Sequence, residues 1–168
     1  MSSGAQGPFA NPWANRWFAT YTADHRHPMN RVTHKVAIPL IVFHIFAMLD
    51  WVKLGGAIDV GGISVVPSLG HVGYVLAVGF YAWLNLPLAA WMAVLFALTF
   101  PLAAVTPTAL VVTAAVIGWV VQMAGHAVWE KNKPSFASNI LQALIGPAFF
   151  VAVLTGAYRP AFDAPAEA

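Results

Sequence analysis

The sequence predicts an all-α protein, a polytopic membrane helix bundle of about five transmembrane helices with an N-terminal interfacial helix. Of its 168 residues, 60% are hydrophobic and only 8% are charged, and the mean hydropathy is +0.71, whereas soluble domains carry about 25% charged residues. Two stretches, Val60–Trp129 and Pro134–Tyr158, contain no Asp, Glu, Lys or Arg. Since one crossing needs about 20 residues, the first stretch can hold three helices and the second one more.

Residues 1–168 are predicted to form a single integral membrane domain, with an interfacial segment at 1–29, the bundle at 30–157 and a tail at 158–168. In the first segment, aromatic residues recur at three- and four-residue steps beside Arg16, as in a helix that lies along a bilayer surface. They are Trp13, Trp17, Phe18 and Tyr21.

The first transmembrane helix is predicted over Asn30–Lys53, and only His44 and Asp50 interrupt its apolar middle. The glycine-rich stretch Gly55–Gly62 after it predicts an exposed loop. His44 lies half a bilayer deep and ten residues beyond His34, so we expect from it an interhelical hydrogen bond rather than a metal ligand.

Prolines and Asn85 divide the rest of the chain. The remaining helices are predicted over Val72–Leu84, Leu88–Phe100, Thr108–Lys131 and Phe136–Ala157. Asn85 and Pro87 separate the first two of these, and a turn is predicted around Pro101 and Pro107, because proline interrupts helices and restricts the residue before it.

Basic residues indicate the orientation in the membrane. They lie before or at the start of the first helix and directly after the fourth: Arg16, Arg26, Arg31, Lys35, Lys131 and Lys133. By the positive-inside rule both ends face the cytoplasm, which is the inner face of the inner membrane if the source is bacterial. The net charge of +2 is too small and scattered to indicate nucleic acid binding. Four crossings would return the chain to its starting side, so these two helix ends are predicted to share one membrane face.

Six polar side chains lie near those two helix ends: His25, Asn30 and His34 in one cluster, and Gln122, His126 and Glu130 in the other. Because a four-residue step rotates only about 40° around a helix, Asn30 and His34 share a face, as do the members of the second cluster. Polar groups near the membrane are costly unless they are paired or coordinated. We therefore interpret the two clusters as halves of one metal site.

The predicted ligands are His25, His34, His126 and Glu130. Such a nitrogen and oxygen set suits non-heme Fe(II) (Fe2+), which is commonly held by two His and one carboxylate. Zinc remains an alternative, although the His-Glu-x-x-His pattern of zinc proteases is absent. Asn30 and Gln122 are expected to orient ligands or to bind a substrate oxygen. Glu130 has a second interpretation, an ion pair with Lys131 or Lys133.

The two clusters resemble the paired motifs of the membrane-bound 2-hydroxy fatty acid dioxygenases. The first motif comprises His25, Asn30 and His34 with Ile38 and Pro39; the second comprises Gln122, Gly125, His126, Glu130, Lys131 and Pro134, with Gly146 and Pro147 after it. The similarity extends from about Tyr21 to Phe150. One departure is that Pro134 is followed by Ser135, where the family has alanine.

The resemblance implies an Fe(II)-dependent enzyme of fatty acid alpha-oxidation. It would combine a 2-hydroxy fatty acid from the membrane lipid with O2, release carbon dioxide and leave a chain one carbon shorter. The histidines would hold the iron, Glu130 would be a fourth ligand or the base that takes the hydroxyl proton, and the substrate carboxylate would be attracted by Arg31, Lys35 or Lys131.

Two other classes of function stay open. One is a different lipid-modifying membrane metalloenzyme, such as a hydroxylase or desaturase, although those usually use more histidines to bind two irons. The other is a non-catalytic membrane scaffold. A transporter is not expected, because the polar residues gather at one face and form no path across the midplane.

Overall fold

A computed structural model describes residues 8–134, 136 and 139–162, and it is mainly helical. The α-helices are α1 (Pro12–Ala23), α2 (Pro28–Asp50), α3 (Leu69–Leu84), α4 (Leu86–Ala97), α5 (Thr99–Val105), α6 (Thr108–Ala124) and α7 (Gln142–Leu154), and a π-helix (Gly125–Glu130) extends α6. Two short strands, β1 (Ile58–Val60) and β2 (Ile63–Val65), complete the elements. Residues 1–7 of the predicted interfacial segment, 137–138 of the predicted last helix, 163–168 of the predicted tail, and Ser135 lie outside the described residues.

Helix α1 is amphipathic, as predicted. Its N-cap is Asn11, whose side-chain oxygen accepts a hydrogen bond from the Trp13 amide at 2.9 Å, which satisfies one of the free amides of the first turn. Phe18 and Tyr21 are buried, while Trp13 and Arg16 are exposed. The exposed side therefore carries an aromatic ring and a cation, the pair expected at a membrane interface.

Helices α2 and α6 pack closely along their length. A Cβ atom at Gly118 would lie 3.1 Å from Cγ1 of Ile41, so the missing side chain allows the two helices to approach. Nε2 of His44 accepts a hydrogen bond from Nε1 of Trp119 at 3.2 Å, and Nδ1 of His44 is 3.0 Å from the Leu40 carbonyl. The interhelical hydrogen bond expected from His44 is confirmed.

Three helical stretches among the described residues are long and apolar enough to cross a membrane: Pro28–Asp50, Leu86–Val105 and Thr108–Glu130. Helices α3 and α7 are apolar but contain only 16 and 13 residues. At 1.5 Å per residue they are about 24 and 20 Å long, less than the roughly 30 Å of a bilayer core. The structure thus supports three of the five predicted crossings by length.

Several predicted boundaries are wrong. The loop expected over Gly55–Gly62 contains the start of an antiparallel hairpin in which Ile58 pairs with Val65, and its turn uses positive φ angles of 62° at Gly61 and 83° at Gly62. Pro101 does not end a helix, because it lies in the first turn of α5, where proline removes no hydrogen bond.

The predicted division at Asn85 is confirmed. Asn85 is extended, and its side-chain oxygen accepts a hydrogen bond from the Leu88 amide at 3.0 Å, which caps α4. The last helix begins at Gln142 and ends at Leu154, and so is shorter at both ends than the predicted Phe136–Ala157.

The buried core lies where α1, α3, α4 and α7 meet. It is rich in aromatic side chains that contact one another, among them Phe9, Phe18, Tyr81, Phe96 and Phe149. The Tyr81 hydroxyl donates a hydrogen bond to the Leu144 carbonyl at 2.8 Å. This core holds α1 and α7 against the bundle, so that the segment after α1 is directed toward α2 and α6.

Candidate metal centre

Three imidazole rings meet at one end of the bundle. They belong to His25 in the segment between α1 and α2, His34 in the second turn of α2, and His126 in the π-helix. The Nε2 atom of His34 is 3.1 Å from that of His25 and 3.1 Å from that of His126. All three residues are at most 4% exposed. This buried cluster is able to bind a metal ion, and it unites three of the four predicted ligands.

Backbone carbonyls set the protonation of two of these rings. Nδ1 of His25 is 2.7 Å from the Tyr21 carbonyl oxygen, and Nδ1 of His34 is 2.8 Å from that of Asn30. Because a carbonyl oxygen can only accept, each Nδ1 carries the proton and each neutral ring presents a lone pair at Nε2. Two lone pairs therefore face each other at 3.1 Å.

Two of the three nitrogen separations match those expected around a shared cation, and all three ligand atoms lie within 4.8 Å of one another. When two nitrogen ligands each lie about 2.1 Å from an ion and the nitrogen–metal–nitrogen angle is about 90–109°, the two nitrogens are about 3.0–3.4 Å apart. The two observed separations of 3.1 Å fall in this range. A cation between the rings would also remove the repulsion between their lone pairs, so the donor set fits a metal on both grounds.

Burial keeps the ring of His25 neutral. Desolvation, and then the neighbouring His34, lowers the pKa of His25 from 6.5 to about 2. A neutral imidazole is the form that ligates a metal. His25 is therefore available as a ligand at any physiological pH.

The position of His126 depends on Gly125. A Cβ atom at Gly125 would collide with Oγ1 of Thr33 and Oδ1 of Asn30. The lack of a side chain thus lets the end of α6 touch α2 and places the next residue, His126, beside His34. The helix widens into a π-helix from Gly125 onward, a distortion that is frequent at functional sites.

Gln122 lies one turn before His126 and reaches the same centre. Its Nε2 is 2.6 Å from Nε2 of His34, so its amide hydrogen points at the lone pair that a metal would use. Its Oε1 is buried without a hydrogen-bond partner among the described residues. Metal binding at His34 would require this amide to turn away.

Glu130 lies beside the three rings without joining them. Its Oε1 accepts hydrogen bonds from Nδ2 of Asn30 at 3.1 Å and from the backbone amide of His27 at 2.8 Å. Since the Asn30 carbonyl accepts from His34, these contacts connect Glu130 to a ring of the cluster. Within the described part of the chain, Glu130 makes no ion pair with Lys131 or Lys133.

Two cavities meet at this centre. The larger, about 290 Å³, has nearly apolar walls and extends from His25, Gln122 and His126 as far as Leu49 and Gly73. The smaller, about 140 Å³, lies between α1, α2 and α7. Four residues line both cavities and so lie between them: Tyr21, His25, Ile38 and Gly146. The imidazoles therefore stand between a long apolar space and a second compartment.

The smaller compartment contains two of the three predicted carboxylate-binding residues, Arg31 and Lys35. Arg31 donates hydrogen bonds to the carbonyls of His25 and Arg26, and its guanidinium lies 3.9 Å from the centre of the Phe162 ring. Lys131 lines neither this cavity nor the larger one; it is the left-handed residue, φ 53°, that ends the π-helix.

Sequence reasoning missed Tyr21 and Gln142. The Tyr21 ring stacks on His25 with 3.8 Å between centroids, and burial raises the pKa of its hydroxyl above the usual value of 10. Gln142 lines the larger cavity, and its buried Oε1 has no partner among the described residues. The four-residue step from Tyr21 to His25 was a usable signal, whereas Gln142 stands in no helical spacing with the clusters.

The site residues all fall in a region that matches a known protein family. The model of the 2-hydroxy-palmitic acid dioxygenase Mpo1-like family matches residues 13–158. The chain belongs to this family. It is also 31% identical over 137 residues to the 2-hydroxy-palmitic acid dioxygenase MPO1 of Saccharomyces cerevisiae, over 78% of this chain and 72% of the yeast protein. No solved structure matches the chain significantly. The resemblance inferred from the two motifs is thus confirmed at the level of the Mpo1-like family.

Proposed function

We propose that this protein is an Fe(II)-dependent dioxygenase that shortens 2-hydroxy fatty acids by one carbon. The observation that carries the proposal is the set of three buried imidazoles at the junction of an apolar cavity and a smaller one that Arg31 and Lys35 line. A long-chain 2-hydroxy acid has the matching shape, with an apolar tail, a chelating hydroxyl and a carboxylate. The name of the yeast relative supports the same substrate class.

The proposed reaction balances without an external reductant. A 2-hydroxy acid and O2 give the fatty acid with one carbon fewer, carbon dioxide and water, because the four electrons lost by the substrate carbons reduce one O2. Iron, when bound, supplies the redox chemistry that makes O2 reactive toward the C1–C2 bond.

The protein itself would hold the iron and orient the substrate. In the proposal His25, His34 and His126 hold the iron, and the carbonyls of Tyr21 and Asn30 fix two of the rings from behind, as outer-shell partners do in metal sites. The larger cavity takes the acyl chain and excludes water from the reacting carbons. Its apolar walls favour a hydrocarbon chain over water.

Polar groups around the rings would handle the substrate head. Arg31 and Lys35 lie in the smaller compartment and attract the carboxylate, whereas Lys131 is outside it. Glu130 is proposed as a fourth ligand or as the base that takes the hydroxyl proton, with Asn30 orienting it. The freed amide of Gln122 is proposed to hydrogen-bond a substrate oxygen.

We propose that the protein is an integral, multi-pass membrane enzyme. In this proposal α3 and α7 are short crossings, and the N-terminus and the imidazoles face the cytoplasm. The substrate would then pass from the leaflet into the larger cavity while its head stays near the interface, where Arg31 and Lys35 lie.

The test is turnover of 2-hydroxy palmitate by purified protein loaded with Fe(II), loaded with Zn(II) or left without metal. We expect pentadecanoate, carbon dioxide and O2 consumption in equal amounts with Fe(II), and none with Zn(II). Metal analysis of the purified protein separates the proposed dioxygenase from the two other classes of function. Two irons per chain would favour a hydroxylase or desaturase, and the absence of bound metal would favour a non-catalytic scaffold. His126→Ala should abolish both bound iron and turnover, and an active His126→Ala variant would refute the assignment.

A further inference from the structure

The wall that α2 contributes to the larger cavity has a measurable length. It consists of one face of the helix at three- and four-residue steps: Ile38, Ile41, Val42, Ile45, Phe46 and Leu49. Eleven residue steps separate the first of these from the last, which at 1.5 Å per residue is about 16.5 Å. The wall begins one turn beyond His34, at the imidazoles.

On the side of α2 and α3, close packing between these two helices closes the far end of the cavity. A Cβ atom at Gly70 would lie 3.1 Å from the Asp50 amide nitrogen and 3.2 Å from the Phe46 carbonyl oxygen, so the start of α3 touches the end of α2. Next to this contact Gly73 lines the cavity. Its Cβ position is 3.4 Å from Cδ1 of Leu49 and 3.9 Å from Cε1 of Phe46. A side chain at Gly73 would therefore occupy the closed end.

Helix α3 runs from this closed end back toward the imidazoles. Ala77, one turn after Gly73, is also on the cavity wall and is 7% exposed. The turn brings it about 6 Å nearer to the metal centre. Gly73 and Ala77 thus lie at two depths of the same cavity. Glycine has no side chain and alanine only a methyl group, so both leave room in the cavity.

We infer that Gly73 and Ala77 set the acyl-chain length that the protein accepts, an inference that rests on the proposed function. An extended chain advances about 1.2 Å per bond, since three backbone bonds cover 3.3–3.6 Å. Eleven rises of 1.5 Å give a wall of about 16.5 Å, which holds about 14 bonds beyond the head and corresponds to a chain of about 16 carbons. The 6 Å between Gly73 and Ala77 correspond to about five bonds.

The experiment supplies an equimolar mixture of 2-hydroxy acids with even chain lengths from 10 to 18 carbons and analyses the products by mass spectrometry. We expect the wild type to prefer about 16 carbons. Gly73→Leu should lower use of the 16- and 18-carbon acids at least tenfold relative to the 12-carbon acid. Ala77→Leu, about five bonds nearer the metal centre, should extend that loss to the 14- and 12-carbon acids relative to the 10-carbon acid. Gly73→Ala, whose Cβ fits at ordinary contact distances, should give a weaker shift in the same direction.

Gly79 provides the matched control on α3. A Cβ atom there would meet nothing within 4 Å, and the residue does not line the cavity. Gly79→Leu should leave the product profile unchanged. If Gly73→Leu and Ala77→Leu remain active with the wild-type profile, or if they slow all chain lengths equally while metal content is kept, the inference is wrong.

A measurement that needs no turnover separates this inference from the proposed function. 2-Hydroxyhexadecanoic acid with a diazirine on its terminal carbon is irradiated with metal-free protein, and the cross-linked peptides are sequenced. We expect cross-links at the end of α2 and the start of α3, and their loss in Gly73→Leu. Such cross-links without turnover would refute the proposed reaction and keep the length limit, whereas turnover with cross-links elsewhere would overturn the length limit alone.

Discussion

The proton positions on His25 and His34 decide how these two rings of the cluster can interact. A chain of hydrogen-bonded imidazoles needs a proton between each pair of nitrogens. Here the Nδ1 protons point away, toward the carbonyls of Tyr21 and Asn30, so the facing Nε2 atoms have none to share. Lone pairs that converge in a buried site are the arrangement of ligands around a cation.

Removing one ring should therefore release the metal. We expect His34→Ala to lower the affinity for Fe(II) more than about 100-fold, because the loss of an outer-shell partner alone costs about 10–100-fold. Titration of the metal-free protein with Fe(II) under anaerobic conditions measures this. His44→Ala is the control on the same helix; it breaks the Trp119 hydrogen bond and lowers thermal stability, but it should keep the metal affinity within about threefold. Equal losses in both variants would contradict the assignment.

Without metal, the neutral state of His25 makes stability depend on pH. Its pKa is about 2 when folded and 6.5 when exposed, so below pH 6.5 the unfolded chain binds a proton that the folded chain does not. Folding stability is then greatest above pH 6.5 and falls as the pH drops, by up to about 1.4 kcal/mol per pH unit for this group. Unfolding midpoints of metal-free protein at pH 7.5 and 5.5 should differ more in the wild type than in His25→Phe. If the unfolding midpoint shifts equally between the two pH values in the wild type and in His25→Phe, the assigned effect of His25 on stability is wrong.

The site could be predicted from sequence only in part. The steps from Asn30 to His34 and from Gln122 to Glu130 indicated polar helix faces, and these faces do meet. Gln142 could not be found this way, because its place on the cavity wall depends on how α7 packs against α1 and α4. The role of Glu130 stays a prediction, since its observed partners are Asn30 and His27.

At the scale of the elements, the contact between α2 and α6 determines whether the rings meet. Gly118 and Gly125 both lie in this contact, and at each a Cβ atom would press on α2. Only Gly125 adjoins a ligand. The widening of the helix at this point changes the direction of each following side chain, so His126 and Glu130 do not keep the spacing of a regular α-helix.

Gly125→Ala should separate the two halves of the site. The added methyl group collides with Thr33 and Asn30, and overpacking of this kind costs about 1–3 kcal/mol. We expect weaker Fe(II) binding and a lower melting temperature. Gly79→Ala, where the Cβ atom meets nothing within 4 Å, should keep the metal affinity and match or exceed the wild-type stability. A Gly125→Ala variant with wild-type affinity would show that the close contact is not needed.

The elements also show where sequence patterns fail. Proline predicted a break at Pro101, but its effect depends on its position in a helical turn, which hydropathy does not reveal. The hairpin of β1 and β2 is too short for an alternating pattern to stand out. Asn85 was predicted correctly, because a capping side chain and a nearby proline at Pro87 indicate the same boundary.

At the scale of the whole molecule, two cavities join at one buried cluster, and among the described residues only the smaller one is lined by Arg and Lys side chains. The apolar cavity extends from the rings toward the other end of α2, and the smaller cavity, which Arg31 and Lys35 line, lies between α1, α2 and α7. The proposed amphipathic substrate would fill both. The proposal therefore depends on the arrangement of the helices as much as on any single residue.

The predicted crossing by α3 can be tested directly, because the chain contains no cysteine. Ser64 in the hairpin and Lys133 after the π-helix are both exposed. If α3, α4–α5 and α6 each cross the bilayer, Ser64→Cys and Lys133→Cys lie on opposite sides. We expect a membrane-impermeant maleimide to label Ser64→Cys in intact cells and Lys133→Cys only after lysis. Labelling of both in intact cells would exclude the three-crossing arrangement.

His126 follows His34 by 92 positions along the chain. An ion held by both rings is therefore also a cross-link that closes a long loop. It restricts the unfolded chain as a disulfide does in other proteins, although this chain has no cysteine to form one. Newly synthesised copies that find no ion would lack this tie between their first and last long helices. If that ion is iron, as proposed, the supply of iron to the cell would govern how many copies escape proteolysis, in addition to how fast each one works.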